Sequence, residues 1–179
     1  MSKKRLLLTN PLFDLTIERL CQQVIENHGD FENTVLLGLQ PRGVQLALRI
    51  HAYLVAETKV DIPFGLLDAT FYRDDFRRRD SPLTPNATSI SFGLEDKNVV
   101  LIDDVIATGR MVRAAFDAMQ AFGRPLKIEL LCLIDRNYNR DIPIQPDYVG
   151  KTVNTLDDQQ VVVEWKEQKL LKDKIWLVD

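Results

Sequence analysis

The chain has 179 residues, of which 45% are hydrophobic and 27% charged, and its formal net charge at pH 7 is −3. This balance is typical of one globular domain, and the length excludes two domains of ordinary size. The net charge gives the chain as a whole no attraction to nucleic acid, and no apolar stretch is long enough to cross a membrane. Cys21 and Cys132 lie in apolar contexts without metal-ligand spacing, which indicates reduced core thiols in a cytoplasmic protein.

Apolar periodicity and capping residues predict an alternation of strands and helices along the chain. The predicted elements are, in order, a helix from Asn10–Pro11 to Gly29, a strand at 34–39, a helix at 44–56, a strand at 64–72, a strand at 97–103, a helix at 109–122, a strand at 128–134, a pair of strands at 147–153 and 161–165, and a last strand at 175–178. This order predicts an α/β fold with one mostly parallel sheet and helices on both faces.

Residues 73–86 interrupt this pattern with dense alternating charge, two prolines and almost no apolar side chains. Such a segment cannot be buried at low cost, so we expect a long mobile loop. Its three successive arginines, 77–79, suit a lid that clamps phosphate, and they suit a solvated charged hairpin equally well.

The stretch Val99–Met111 combines hydrogen-bond acceptors and donors at the end of a strand. An apolar run leads into Asp103 and Asp104, then into the turn Thr108–Arg110, and then into a helical pattern. Open α/β sheets bind their ligands at the carboxyl ends of the strands, and a helix N-terminus favours phosphate. The stretch therefore predicts a site for a ribose phosphate, the alternative being two carboxylates that only end a strand.

A second candidate anion site follows the strand at 34–39. There the turn Gly38–Gly43 carries Arg42 directly before a helical pattern. Such a turn offers a cation and backbone N–H groups to an anion, but an ordinary connecting loop has the same composition. Both interpretations stay open from the residues alone.

The stretch Val99–Met111 resembles the phosphoribosyl pyrophosphate (PRPP) motif of type I phosphoribosyltransferases. Four further segments stand in the order of one family within that superfamily: Phe71–Asp75, Gly123–Pro125, Ile134–Arg136 and Asp147–Lys151. They resemble the PyrR family, bifunctional pyrimidine-operon attenuators and uracil phosphoribosyltransferases. The resemblance covers nearly the whole chain.

The resemblance implies one phosphoribosyltransferase domain over residues 1–179, with a central mostly parallel sheet flanked by helices. It also implies a flexible lid loop at about 72–90 and a small hood from segments at about 135–165. The implied reaction transfers ribose phosphate from PRPP to uracil and gives UMP and pyrophosphate. Mg²⁺ is the implied cofactor, and a homo-oligomer of two or more copies is the implied assembly.

Roles at the site follow from the same resemblance, position by position. Asp103 and Asp104 would be the catalytic residues, binding the ribose hydroxyls and favouring positive charge on the sugar. The remaining positions are Val105, Ile106, Ala107, Thr108, Gly109, Arg110 and Met111 for the sugar phosphate; Pro41, Arg42 and Gly43 for pyrophosphate; Tyr72 and Arg73 in the lid; and Asp135, Arg136, Tyr148 and Val149 for the base. No protein metal ligand is implied, because PRPP itself would hold most of the Mg²⁺ coordination. Tyr148 could equally be a half-buried strand aromatic.

The base is expected to be a pyrimidine. Purine-type relatives with a similar motif carry an aspartate at the position of Ala107 and a lysine at the position of Asp135. Both residues are absent here, which disfavours a 6-oxopurine.

Three residues depart from the PyrR pattern in the phosphate-binding loops, and the first is Ala107, where the family usually has tyrosine. Met111 replaces a hydroxyl residue, and a hydrogen bond from a hydroxyl to a charged phosphate contributes about 1.5–3 kcal/mol. We therefore expect substrate binding to be weaker by about one to two orders of magnitude. Pro41 also replaces a hydroxyl residue and removes one backbone donor.

RNA binding is expected to be weak. Attenuators of the family present a basic face, where this chain has Glu18, Gln22, Asn27 and Gln145. RNA affinity depends heavily on cationic contacts with phosphates, although Arg19, Arg136 and Arg140 remain. Two alternatives to a uracil phosphoribosyltransferase stay open: an RNA-binding regulator that senses UMP or PRPP, and a phosphoribosyltransferase for another base.

Overall fold

A computed structural model describes residues 4–75, 84–156 and 158–179 of the chain. Its strands are β1 (Lys4–Thr9), β2 (Thr34–Leu39), β3 (Phe64–Leu67), β4 (Asn98–Ile106), β5 (Lys127–Asn137), β6 (Tyr148–Asn154), β7 (Gln160–Glu164) and β8 (Lys174–Val178). Its α-helices are α1 (Leu12–His28), α2 (Val44–Thr58) and α3 (Arg110–Met119). Short 3₁₀ helices lie at Thr70–Tyr72, Gln120–Phe122 and Lys166–Gln168.

The larger sheet has five parallel strands in the order β3-β2-β4-β5-β6. Its two faces are covered by different helices, as a parallel sheet requires. Successive residues of β4 alternate between them: Val100 and Ile102 pack with α1 and α2, whereas Val99 and Leu101 pack with α3. Because the strands run in one direction, the loops that follow β2, β4 and β5 gather at one edge of the sheet.

The smaller sheet has three antiparallel strands in the order β1-β8-β7. Arg49 of α2 attaches this sheet to the rest of the molecule. Its guanidinium donates to the fully buried Asp173 at 2.7 Å and to Glu167 at 2.7 Å, and lies 4.9 Å from the ring centre of Trp165. The small sheet is therefore held against the helices by a buried ion pair and a cation–π contact.

The predicted α/β architecture and the strand at 34–39 are confirmed. The predicted strand at 64–72 is too long, because β3 ends at Leu67 and Thr70–Tyr72 forms a 3₁₀ helix. The predicted pairing of 147–153 with 161–165 is wrong, because β6 pairs with β5 and β7 pairs with β8. Both segments have strand-like alternation, and only the tertiary fold distinguishes their partners.

The segments expected to form the hood and the lid are placed as follows. Residues 135–137 and 148–154 belong to β5 and β6 of the parallel sheet, and only 160–164 of the expected range enters the smaller sheet. The three arginines expected to clamp phosphate, 77–79, lie outside the described residues. No helix within the described ranges has the length and apolar character needed to cross a membrane.

Candidate active site

Asp103 and Asp104 lie inside β4, near its carboxyl end, and both are buried, with 8% and 5% of their surface exposed. Asp103 Oδ1 accepts the Asp104 N–H at 2.9 Å. Burial, followed by the charge of Asp104, raises the pKa of Asp103 well above its usual value. Burial also raises the pKa of Asp104, whereas the nearby Arg42 guanidinium opposes that rise. Burial thus disfavours the fully charged pair, which a cation or a hydrogen bond from a sugar hydroxyl would stabilise.

The loop Gln40–Gly43 lies directly against the strand that carries the carboxylates. A Cβ at Gly43 would lie 2.5 Å from the Ile102 carbonyl oxygen and 2.7 Å from that of Leu39, so only glycine allows this approach. The Gln40 amide donates to the Ala87 carbonyl at 2.7 Å, which links this loop to the far end of the predicted lid. Arg42 is exposed beside the two aspartates.

The loop after β4 turns into α3 at Gly109. Gly109 has a φ of 84°, a left-handed conformation that glycine adopts without strain, and it is the N-cap of α3. Among the described residues, the Thr108 and Gly109 N–H groups donate no hydrogen bond. Arg110, expected to assist a phosphate, is exposed and forms ion pairs with Asp74 and Asp141.

These loops surround a cavity of about 590 Å³. Its lining residues are Gln40, Pro41, Arg42, Thr70, Arg73, Thr84, Asn86, Asp103, Asp104, Val105, Ala107, Met111, Arg136, Gln160 and Val161. The volume is within the range of small-molecule sites in proteins. The cavity therefore combines two carboxylates, three arginines and two candidate anion-binding loops.

The start of the predicted lid packs on α3. The Arg113 guanidinium donates to the Tyr72 carbonyl at 3.1 Å, and Arg73 Nη1 lies 3.9 Å from Met111 Sδ. The buried Asp68 carboxylate accepts the N–H groups of Thr70 and Asn86, so it joins the two described ends of the lid segment. Met111, which lacks the expected hydroxyl, thus contacts a lid arginine.

Comparison with known proteins identifies the family. The phosphoribosyl transferase domain family matches residues 6–168. The "Bifunctional protein PyrR" of Oceanobacillus iheyensis is 42% identical over 170 residues, which cover 94% of this chain and 94% of that protein. The "Bifunctional protein PyrR" of Gloeothece citriformis is 47% identical over 148 residues, covering 83% of this chain and 82% of that protein. The chain belongs to the PyrR family.

Solved structures confirm the fold of this PyrR-family chain. A hypoxanthine phosphoribosyl transferase of Trypanosoma cruzi superposes with a TM-score of 0.73 at 12% identity, covering 98% of this chain and 91% of that chain. A hypoxanthine-guanine phosphoribosyltransferase of Bacillus anthracis gives a TM-score of 0.67 at 18% identity, covering 88% and 86%. The expected type I phosphoribosyltransferase fold is therefore confirmed. The pentosyl-transferring enzyme class follows from the family match over residues 6–168.

Two residues expected to bind the base in this PyrR-family chain are not at the cavity. Tyr148 is 2% exposed, and its hydroxyl hydrogen-bonds Asn27 at 3.1 Å and His28 at 3.3 Å. It lies near the amino end of β6, level with Leu131, and packs against α1. Val149 follows it in β6, and its carbonyl accepts from Arg19. The assignment of Tyr148 as a stacking residue is thus corrected: it is a core tyrosine with a satisfied hydroxyl.

Three residues line the hood side of the cavity, and one of them, Arg136, is among those expected to bind the base. Arg136 extends from the end of β5, and Gln160 and Val161 come from β7. Asp135 does not line the cavity, because its carboxylate pairs with Arg140 at 2.5 Å. Gln160 and Val161 were missed by sequence reasoning because their position depends on the pairing of β7 with β8, for which no local motif exists.

Proposed function

We propose that the chain transfers the phosphoribosyl group of PRPP to uracil, with release of pyrophosphate and formation of UMP. The observation that carries this proposal is the buried pair Asp103–Asp104 in a cavity that is also lined by residues of two candidate anion-binding loops. One loop would hold the sugar phosphate, the other the pyrophosphate, and the carboxylates would lie between them. PRPP has the same three parts in the same order.

The proposed roles follow from charge and burial. Asp103 and Asp104 would accept hydrogen bonds from the ribose hydroxyls, and their charge would stabilise the positive charge that develops on the sugar as pyrophosphate leaves. Arg42 would face the leaving group, and closure of the lid above Arg73 would exclude water from the reactive sugar. The bond between the anomeric carbon and the pyrophosphate oxygen breaks, the uracil ring nitrogen forms the new bond to that carbon, and the proton of that nitrogen is released to solvent together with pyrophosphate.

Mg²⁺ is compatible with the residues present. It prefers oxygen ligands and octahedral geometry with several waters retained. Asp103 and Asp104 offer carboxylate oxygens at the cavity, and burial already disfavours their charge in the absence of a cation. When bound with PRPP, the ion would neutralise pyrophosphate charge and would be held mainly by PRPP oxygens and water, with Asp103 and Asp104 as the carboxylates available to it.

The preference for uracil is supported by two positions. Ala107 lines the cavity and offers no side-chain acceptor to a purine ring nitrogen. Position 135 has a carboxylate, which Arg140 engages, in place of the lysine that would contact a purine oxygen. The "Bifunctional protein PyrR" relatives support the same pyrimidine context.

The experiment is a spectrophotometric assay of UMP formation from uracil and magnesium-PRPP. The parent should be active, and Asp104→Asn should lose most of the activity while Asp61→Asn, at an exposed carboxylate ahead of β3, keeps it. A folded parent that forms no UMP would exclude the proposed reaction. The same assay with a panel of other bases distinguishes a uracil phosphoribosyltransferase from one that acts on a different base.

A regulatory function is the second candidate, because the curated relatives are named bifunctional. The basic residues that remain are engaged within the chain: Arg19 donates to the Gly150 carbonyl, and Arg136 donates to Thr155 and the Gln159 carbonyl. This favours weak RNA binding. Titration of pyrimidine-operon leader RNA, with and without UMP, tests it: salt-sensitive, UMP-dependent binding would support the regulator, and a flat titration would exclude it.

A further inference from the structure

Arg140 lies outside the cavity, in the segment between β5 and β6, and its side chain is 23% exposed. Its guanidinium makes hydrogen bonds in three directions. Nε donates to the Ile144 carbonyl at 2.8 Å, Nη2 donates to the Asp135 carboxylate, and Nη1 donates to the Ala107 carbonyl. One side chain therefore joins the end of β5, its own segment and the loop proposed to bind the sugar phosphate.

The carbonyl groups of Ala107, Thr108 and Gly109 in that phosphate loop all accept hydrogen bonds from other residues of the chain. Arg140 binds the Ala107 carbonyl, and the N–H groups of Asp141 and Ile142 donate to the Thr108 carbonyl at 3.0 and 3.1 Å. The Gly109 carbonyl accepts the Arg113 N–H at 3.0 Å within α3. The loop thus has no freedom to rotate its peptide units without breaking these bonds.

This pattern sets the direction of the loop's donors. In a trans peptide unit, the carbonyl of one residue and the N–H of the next point in opposite directions. The bond from Arg140 to the Ala107 carbonyl therefore turns the Thr108 N–H away from Arg140, and the bonds to the Thr108 carbonyl do the same for the Gly109 N–H. No residue of 138–146 lines the cavity, whereas Ala107 and Met111, on either side of these donors, do.

We propose that Arg140 is a positioning residue for the sugar phosphate: it holds the phosphate loop so that the Thr108 and Gly109 N–H groups face the ligand. The inference rests on the proposed function only in naming PRPP as that ligand. It applies to any ribose 5-phosphate group in this cavity. Arg140 does not line the cavity, and its hydrogen bonds reach no residue of Pro41–Gly43.

The test compares two anions that use different loops. In the proposed roles, ribose 5-phosphate binds the Ala107–Met111 loop, whereas magnesium pyrophosphate binds the Pro41–Gly43 loop. In Arg140→Met, we expect the Kd of ribose 5-phosphate by calorimetry to rise about 10- to 100-fold, the loss that follows from misdirected hydrogen bonds to a charged group. The Kd of pyrophosphate should stay within about twofold. A general loss of structure would weaken both.

Two further variants keep the result interpretable. Arg140→Lys keeps the charge but not the planar fork that reaches three acceptors, so an intermediate loss of ribose 5-phosphate binding is expected. Arg140→Lys also serves as the test variant if Arg140→Met does not fold. Arg19→Met removes a guanidinium that donates to the Val149 and Gly150 carbonyls far from the cavity, and it should leave both ligands unaffected.

The outcomes separate this inference from the proposed reaction. Weaker binding of ribose 5-phosphate but not of pyrophosphate in both Arg140 variants supports the positioning role. That support does not depend on activity, because a parent that forms no UMP would overturn only the proposed reaction. Unchanged ribose 5-phosphate binding, or equal weakening of both anions, would overturn the positioning role. A parent that binds neither anion would overturn both proposals.

Discussion

Replacing Asp103 with asparagine should make the ligand-free protein more stable and the enzyme less active. Asp103 and Asp104 are adjacent, buried charges, and burial together with the charge of Asp104 raises the pKa of Asp103. Asparagine keeps the oxygen that accepts the Asp104 N–H at 2.9 Å and removes one charge. Stabilising changes of this kind are worth about 0.5–2 kcal/mol, and about 1 kcal/mol raises the Tm of a chain of this size by about 2–4 °C.

The stability difference between the parent and Asp103→Asn should depend on pH with a definite sign. The folded-state pKa of Asp103 lies above the unfolded value, which is about 3.9, so the folded protein holds this proton more tightly. The parent is therefore fully stabilised by the protonated carboxyl below about pH 3.9, and it loses that stability as pH rises through the folded pKa. The Tm advantage of Asp103→Asn should be absent at the acid end and should grow toward neutral pH.

Thermal melts of the parent and Asp103→Asn between pH 4 and 8, without ligand, measure this difference. Asp61→Asn, at an exposed carboxylate, is the matched control and should not change the Tm. UMP formation should fall about 10- to 100-fold in Asp103→Asn, since hydrogen bonds from the ribose to a charged group are lost. An Asp103→Asn protein that melts below the parent at pH 7 would refute the argument that the Asp103 charge destabilises the folded protein in the absence of ligand.

Three further substitutions test other parts of the site and fold. Met111→Thr should lower the KM for PRPP by about 10- to 100-fold by restoring a hydroxyl donor to phosphate, and steady-state kinetics that show no change would mean that the backbone already suffices. Gly43→Ala should weaken calorimetric pyrophosphate binding by about tenfold or more, because its Cβ would lie 2.5 Å from the Ile102 carbonyl oxygen and displace the loop at an overpacking cost of about 1–3 kcal/mol. Arg49→Met should lower the free energy of unfolding in urea by about 3 kcal/mol, because Asp173 is fully buried and would lose its cation; a loss under about 1 kcal/mol would argue against that ion pair as the anchor of the small sheet.

The central part of the fold was predictable because its signals are local. The strand at 34–39 is a continuous apolar run, and Asp103, Asp104 and the turn at Gly109 follow one another within a single βα unit. Residues that are neighbours in sequence at such a junction stay neighbours in space. Placement of the phosphate loop and the carboxylates therefore followed directly from the order of the residues.

The hood side of the cavity was not predictable for the opposite reason. Tyr148 and Val161 both occupy strand-like, alternating segments, yet one is buried under α1 and the other lines the cavity. Their difference depends on strand partners far away in sequence: β5 for the first and β8 for the second. Asp135 likewise does not line the cavity, because its carboxylate pairs with Arg140, a partner that the sequence alone does not indicate.

The pairing of β1 with β8 has a consequence for the order in which the molecule is made. Lys4 pairs with Val178, so the smaller sheet joins the earliest and latest strands of the described chain. Contacts of such long sequence separation form late in folding, and a chain under synthesis cannot form them before β8 has left the ribosome. The β2–β6 sheet can assemble earlier, with its carboxylates uncovered. The nascent protein therefore has the loops at 40–43 and 107–111 before it has the Gln160–Val161 side of the cavity, and that side is the last part of the candidate site to form.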